Sequence, residues 1–162
     1  MKTIIAATLL AASLAGITAP ATAHADCGQD GQPACSGPLP TVDEVTALVN
    51  EVADPNIPAA NKNDVVTPPF NDDQAQKFDT MLNFMRIETI LPISFTVTDI
   101  EPAPNNTAGA TVSNPPTWEV NEGTAPVVLV LQNGRWMITH QTAVGRMAQL
   151  YNDRKKRHHA AV

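Results

Sequence analysis

Hydrophobic positions recur every three or four residues in two segments of the N-terminal half, which indicates two amphipathic helices. The first helix is predicted to begin at a capping box formed by Thr41 and Glu44 and to end before Asp54-Pro55. The second is predicted to begin near Asn71, where acidic residues suit the positive end of the helix dipole. The two apolar faces consist of Val42, Val45, Leu48, Val49 and Val52, and of Ala75, Phe78, Met81, Leu82 and Met85.

From Pro92 onward the hydrophobic period changes to two, which is typical of strands with one exposed face. Residues 127–131 are apolar without interruption, so both faces of that strand are expected to be covered. Asn133-Gly134 is a strong hairpin signal, and a short last helix is predicted from about Thr142. The predicted strands are residues 93–98, 107–113, 127–131 and 135–140.

Helices followed by strands indicate an α+β fold: N-terminal helices packed on a curved four-stranded antiparallel sheet, with a short C-terminal helix. This order, with its final hairpin at residues 132–138, resembles the cone of nuclear transport factor 2-like (NTF2-like) proteins. The likeness is an analogy at the level of the fold, which hosts enzymes, carriers and interaction modules. A single domain is predicted at residues 40–151, between a Gly/Pro-rich tail at 26–39 and a basic flexible tail at 152–162.

The first 25 residues have the pattern of a secretory signal peptide. Lys2 precedes an apolar run at residues 4–17, and Ala23-His24-Ala25 predicts cleavage between Ala25 and Asp26. The run is short for a membrane span and no second run follows, so no transmembrane segment is expected. Lipid attachment at Cys27 is the alternative, but the charged Asp26 stands where that processing needs a small residue. Free secretion to the cell exterior is therefore favoured.

Charge and cysteine content narrow the range of partners. The chain of 162 residues carries a net charge of −6, and residues 26–150 alone carry −10, which argues against nucleic acid as a partner. Cys27 and Cys35 are the only cysteines, and in an exported protein they are expected to form a disulfide with a structural role. Four basic residues near the C-terminus offer a contact with an anionic surface, although a solvated end is the preferred interpretation. These are Arg154, Lys155, Lys156 and Arg157.

The sequence contains no motif for a nucleophile, a metal ion or a cofactor, so none of these is expected and the protein is predicted not to be an enzyme. The one enzyme alternative is an isomerase-type site in a cone-shaped pocket, with Asp99 as its base. A carrier of a small apolar ligand is a further alternative, since one pocket could be lined by aromatic and sulphur-containing residues and one histidine. The residues of that pocket would be Phe78, Met85, Trp136 and His140; for His140, an ordinary strand-end role is preferred.

Three stretches resemble, in order and spacing, the small secreted low-molecular-weight antigens of mycobacteria. They are residues 40–62, 91–100 and 133–137, and together they cover roughly residues 39–150. The resemblance implies an exported antigen with no assigned catalysis, so it carries over no catalytic residues. The combined prediction is a secreted, non-enzymatic binding or interaction protein. Its expected partners are a second copy bound through the open sheet face, a host or cell-envelope protein, or a small apolar ligand.

Overall fold

The computed structural model describes residue 27 and residues 34–160. The predicted signal peptide therefore lies outside the described residues, whereas the predicted disulfide between Cys27 and Cys35 is present. The described helices and strands are α1 (Val42–Ala53), β1 (Val66–Thr67), α2 (Asp72–Ile87), β2 (Thr96–Ala103), β3 (Thr107–Asn114), β4 (Gly123–Gln132), β5 (Arg135–Thr139) and α3 (His140–Ala160), with a 3-10 turn at Ala59–Asn61.

Capping boxes start both N-terminal helices, as the sequence predicted for α1. The Thr41 hydroxyl accepts from the Glu44 amide at 3.2 Å, and the Glu44 carboxylate accepts from the Thr41 amide at 2.7 Å. Asn71 and Gln74 make the same reciprocal pair at the start of α2, at 2.9 and 3.0 Å. Each pair satisfies amides that the first turn of a helix leaves without a backbone partner. The predicted positions of both helix starts are confirmed.

The sheet has five strands in the order β1-β5-β4-β3-β2. The pairs among β2 to β5 are antiparallel, but β1 pairs in parallel with β5, with Val66 opposite Ile138. The predicted four-stranded antiparallel sheet is thus corrected to a five-stranded mixed sheet. β1 has only two residues and so carries no hydrophobic period that a sequence could reveal. The NTF2-like cone remains an analogy.

The hairpin between β4 and β5 forms where it was predicted, with positive φ angles of 52° at Asn133 and 75° at Gly134. Two consecutive positive φ angles are what a two-residue turn of this twist requires. The expectation for β4 is wrong in one respect, because its two faces differ. Val127 and Leu129 are buried, whereas Val128 is 43% exposed, since the helices cover one face of the sheet only.

The last helix is much longer than the short helix predicted from about Thr142. α3 begins at His140 and extends to Ala160, so most of the segment expected to be a flexible tail is helical. Lysine and arginine have good helix propensity, and an apolar stripe is not needed where polar side chains anchor the helix.

The buried faces of α1, α2 and α3 pack on the sheet in one hydrophobic core. Within the described chain, none of the helices combines the length and apolarity that a membrane crossing requires.

Candidate functional site

A cavity of about 280 Å³ lies between α2 and the start of α3. Four of its lining residues come from one side of α2, at a spacing of three, four and seven residues, and two come from successive turns of α3. This spacing brings a row of side chains from each helix to the same opening. The lining residues are Gln74, Lys77, Phe78, Met81, His140 and Val144.

An aromatic cluster packs beside this cavity. The ring centre of Phe70 lies 4.8 Å from that of Phe78 and 4.5 Å from that of His140, distances typical of favourable ring packing. Phe70 and Phe78 are almost fully buried. The cluster therefore fixes the position of the imidazole at the start of α3.

The polar groups of the cavity are few. The Nδ1 atom of His140 is buried and has no hydrogen-bond partner among the described residues. This nitrogen has almost no accessible surface, so a ligand in the open cavity does not reach it without a movement of the ring. Lys77 and Gln74 are exposed, and they supply a charged donor and an amide to the same opening. The site thus combines apolar walls with one cation and one amide at its opening.

Of the four residues proposed from the sequence as a ligand pocket, the structure brings two together. Phe78 and His140 line the cavity, while Met85 and Trp136 are buried in the core and do not line it. The other four lining residues, Gln74, Lys77, Met81 and Val144, were missed, as was the neighbouring Phe70. For Phe70 a signal exists, because an apolar residue directly before the Asn71 N-cap commonly packs onto its helix. The rest required knowledge of where α3 crosses α2.

Asp99, the base candidate of the enzyme alternative, does not lie on the apolar side of its strand. The β2–β3 register shifts between Thr98 and Glu101, and Asp99 sits in this bulge with a φ of 52°. Its side chain is exposed and accepts a hydrogen bond from the Thr98 hydroxyl at 2.9 Å. The alternation extrapolated from Val97 is wrong because a bulge adds a residue to one strand and reverses the side-chain directions beyond it.

Arg154, one of the four residues proposed to contact an anionic surface, is occupied within the protein. It forms ion pairs with Glu88, which follows the last residue of α2, at 2.7 Å and with the buried Glu119 in the segment between β3 and β4. Its own side chain is only 12% exposed. Lys156 is 82% exposed and lies 4.0 Å from Asp153, whereas the side chains of Lys155 and Arg157 lie outside the described part. Contact with an anionic surface stays a prediction, for which Arg154 is poorly placed.

Lys62 is completely buried and closes the end of α1. Its ammonium group donates to the carbonyl oxygens of Glu51 at 2.6 Å and Asp54 at 2.9 Å. A cation there matches the negative end of the helix dipole. Burial lowers the pKa of Lys62, and the nearby carboxylates of Asp54, Asp79 and Glu51 oppose that shift. Because its donors point to backbone acceptors, Lys62 serves the fold.

Arg146 is a second buried cation, on the inner side of α3. Its guanidinium donates to the Asn114 side chain at 2.6 Å and to the Gly123 carbonyl at 3.3 Å, and it lies 5.9 Å from the Phe95 ring centre. Burial lowers the pKa of Arg146, and Asp153 opposes that shift. The network ties α3 to the adjoining ends of β3 and β4. Within the described part of the chain, no cluster of three or more His, Cys, Asp or Glu residues is arranged to hold a metal ion.

The outer face of the sheet is the other candidate binding surface. The cross-strand pairs Val130–Met137, Val128–Gly109 and Pro126–Thr111 place apolar and small side chains side by side on this face. Thr124, Ser113 and Thr96 continue the same face toward the other end of the sheet. Its centre is therefore uncharged, with Glu101 and Arg135 toward its margins. An uncharged face of this kind is suited to another apolar or neutral surface.

Comparison with known proteins finds similarity along most of the described chain. The family model for the C-terminal domain of low molecular weight antigen MTB12 matches residues 38–153. The low molecular weight antigen MTB12 of Mycobacterium bovis is 32% identical over 114 residues, and that of Mycobacterium tuberculosis is 35% identical over 112 residues. Each of these matches covers 69% of this chain and 66% of the relative, slightly less than two thirds of its length. The MTB12 homolog of Mycobacterium leprae is 27% identical over 139 residues, which cover 82% of this chain and 81% of the relative.

Proposed function

The chain belongs to the family of the low molecular weight antigen MTB12 C-terminal domain, and on that premise we propose that it is an exported, non-enzymatic binding protein. The resemblance found in the sequence is thereby confirmed. Export is supported by the signal-peptide pattern of residues 1–25, by the Cys27–Cys35 disulfide and by relatives that are named antigens. Absence of catalysis is supported by the exposed position of Asp99, outside the α2–α3 cavity.

The binding surface that we propose is the outer face of the sheet, and the partner is a second copy of the chain. The observation that carries this proposal is the uncharged face around Val128, which is 43% exposed. The chain as a whole carries −6, so most pairs of surfaces on two copies repel each other. The centre of the sheet face carries no charge and does not repel its own copy. Two such faces stack in the manner of a β-sandwich.

The size of this face predicts a weak dimer. Four strands at roughly 4.8 Å spacing and eight residues at roughly 3.3 Å rise give an area of about 500 Å² on each copy. This is near the lower limit for a specific interface, which buries about 1,000 Å² in total. We therefore expect reversible association, with a dissociation constant on the order of 10–100 µM.

Sedimentation velocity over a range of protein concentrations tests this proposal. Wild-type protein is expected to shift from monomer to dimer, and Val128→Lys is expected to stay monomeric because it buries an unpaired charge in the contact. Val42→Lys is the matched control, because Val42 is also exposed but lies on α1, away from the sheet face. A monomeric wild type, or equal association by Val128→Lys and wild type, would contradict the proposed dimer.

Export is tested separately by expressing the complete chain in a mycobacterial host and determining the N-terminus of the protein in the medium. An N-terminus at Asp26 would support the proposed cleavage after Ala25, and retention of Met1 inside the cells would contradict it. Binding of a host or cell-envelope protein is the remaining alternative for the sheet face. In that case the purified protein would be monomeric, and Val128→Lys would weaken capture of that partner.

A further inference from the structure

We propose that the α2–α3 cavity binds a small apolar carboxylic acid. This inference concerns a surface other than the sheet face and does not depend on dimer formation. It gives a definite site and ligand class to the alternative of an apolar-ligand carrier. The residues assigned to it are Lys77, Phe78, Met81, His140 and Val144.

The volume of the cavity sets the size of the ligand portion that it can enclose. At about 30 Å³ for each water-sized group in a liquid, a cavity of about 280 Å³ holds roughly nine or ten non-hydrogen atoms. An eight-carbon fatty acid has this size, as does a phenyl-substituted acetic acid. A longer chain would extend out of the cavity into solvent.

The walls of the cavity favour an apolar body. Phe78 is 2% exposed and packs against Phe70, so its ring is held in place before any ligand arrives. Met81 and Val144 are half-buried and present flexible and branched aliphatic groups from the two facing helices. Burial of an alkyl or phenyl group against these side chains releases water from apolar surface, which supplies most of the expected affinity.

The polar groups of the cavity select a carboxylate among apolar compounds. The lining residues include the cation Lys77 and no acid, and α3 begins at the cavity with the positive end of its dipole. The Nδ1 atom of His140 is shielded from the opening, so a carboxylate in the cavity is held by the ammonium group of Lys77 and by the helix dipole. A neutral alcohol provides no charge for Lys77, and an amine is repelled by it.

Titration of the full chain with octanoate, followed by NMR, tests the proposal. Octanoate is expected to shift the signals of Phe78, His140 and Val144 saturably, with a dissociation constant on the order of 0.1–1 mM for a ligand of this size. 1-Octanol is expected to bind about tenfold more weakly, and octylamine more weakly still. Absence of saturable shifts up to the solubility limit of octanoate would overturn the proposal, as would equal binding of octanoate and octylamine.

Variants then assign the site. Lys77→Gln is expected to weaken octanoate binding about five- to tenfold and to remove the preference over 1-octanol, whereas Lys156→Gln is the matched exposed control and should change neither. Val144→Trp is expected to fill the cavity and abolish binding. Lys77 is exposed, so its variant keeps the test valid if Val144→Trp fails to fold. Equal octanoate affinity in Lys77→Gln and wild type would contradict the assignment.

The outcome is separable from that of the proposed dimer. Val128 lies on the outer sheet face, so the Val128→Lys variant is expected to bind octanoate as the wild type does. The Lys77→Gln variant is expected to sediment as the wild type does. Loss of one behaviour without the other therefore identifies which of the two proposals has failed.

Discussion

Replacing Arg154 by alanine removes the cation that joins α3 to α2 and to the segment between β3 and β4. In the wild type this cation pairs with Glu119, which is 2% exposed, and with Glu88, which is 33% exposed. The substitution leaves the Glu119 carboxylate buried without its ion-pair partner. Removal of one partner from a buried ion pair costs about 3–5 kcal/mol, because the remaining charge has lost both water and its counter-charge.

The exposure of the three side chains places the expected loss near the lower end of that range. Arg154 retains 12% exposure, so some water reaches the pair, and the contact with the more exposed Glu88 contributes at most about 1 kcal/mol. We expect Arg154→Ala to lower the free energy of unfolding by about 3 kcal/mol. With a urea dependence of about 2 kcal/mol per molar, the unfolding midpoint would fall by roughly 1.5 M.

Urea denaturation followed by tryptophan fluorescence and by circular dichroism measures this loss. Lys156→Ala is the matched control, since Lys156 comes from the same basic run but is 82% exposed, and it is expected to change stability by less than about 0.5 kcal/mol. The double variant Arg154→Met, Glu119→Leu is expected to recover most of the loss, because apolar residues of similar size replace a buried pair at little cost. If Arg154→Ala lowered the free energy of unfolding no more than Lys156→Ala, the end of α3 would behave as the flexible tail that the sequence predicted. The stabilising role of the Arg154 ion pairs would then be refuted.

Three further substitutions test the buried networks and α3. Gly123→Ala is expected to destabilise the fold by about 1–2 kcal/mol, because its Cβ would lie 3.0 Å from the Asn114 side-chain oxygen. Gly109→Ala is the control, since its Cβ would meet nothing within 4 Å, and it should lower the free energy of unfolding clearly less in the same denaturation assay. Gly145→Ala is expected to stabilise α3 by about 0.5–1 kcal/mol and to raise the melting temperature, since it adds helix propensity where the Cβ has open space. A lower melting temperature would contradict this prediction. Burial lowers the pKa of Lys62 from its ordinary value of 10.5, so just below pH 10.5 the folded protein binds fewer protons than the unfolded chain and stability rises with pH. The unfolding free energy of the wild type should therefore rise relative to that of Lys62→Met over this window, and a constant difference would disprove the linkage.

Features that depend on a few neighbouring residues could be predicted from the sequence. The Thr41–Glu44 capping box and the Asn133-Gly134 hairpin involve side chains and backbone groups at most three residues apart. Position on an apolar face also suggested Phe78 and His140 for a pocket, and both line the α2–α3 cavity, although an ordinary strand-end role was preferred for His140. For Met85 and Trp136 the same pattern was misleading, since a buried core position and a pocket position have the same hydrophobic period.

Features that join distant parts of the chain could not be predicted in this way. β1 is a strand only because Val66 pairs with Ile138, and Arg154 is buried only because it meets Glu88, 66 residues earlier in the chain. The bulge at Asp99 depends on the register between β2 and β3, and it moved the base candidate to the surface.

The sequence by itself determined the family, the α+β class, the starts of the N-terminal helices and the β4–β5 turn, because each rests on local hydrogen bonding, hydrophobic period or direct similarity. Only the tertiary structure decided the fifth strand, the open sheet face, the α2–α3 cavity and the length of the docked α3. These features arise from packing and pairing between residues far apart in the chain. Such contacts contribute to the free energy of folding only once the whole domain has folded.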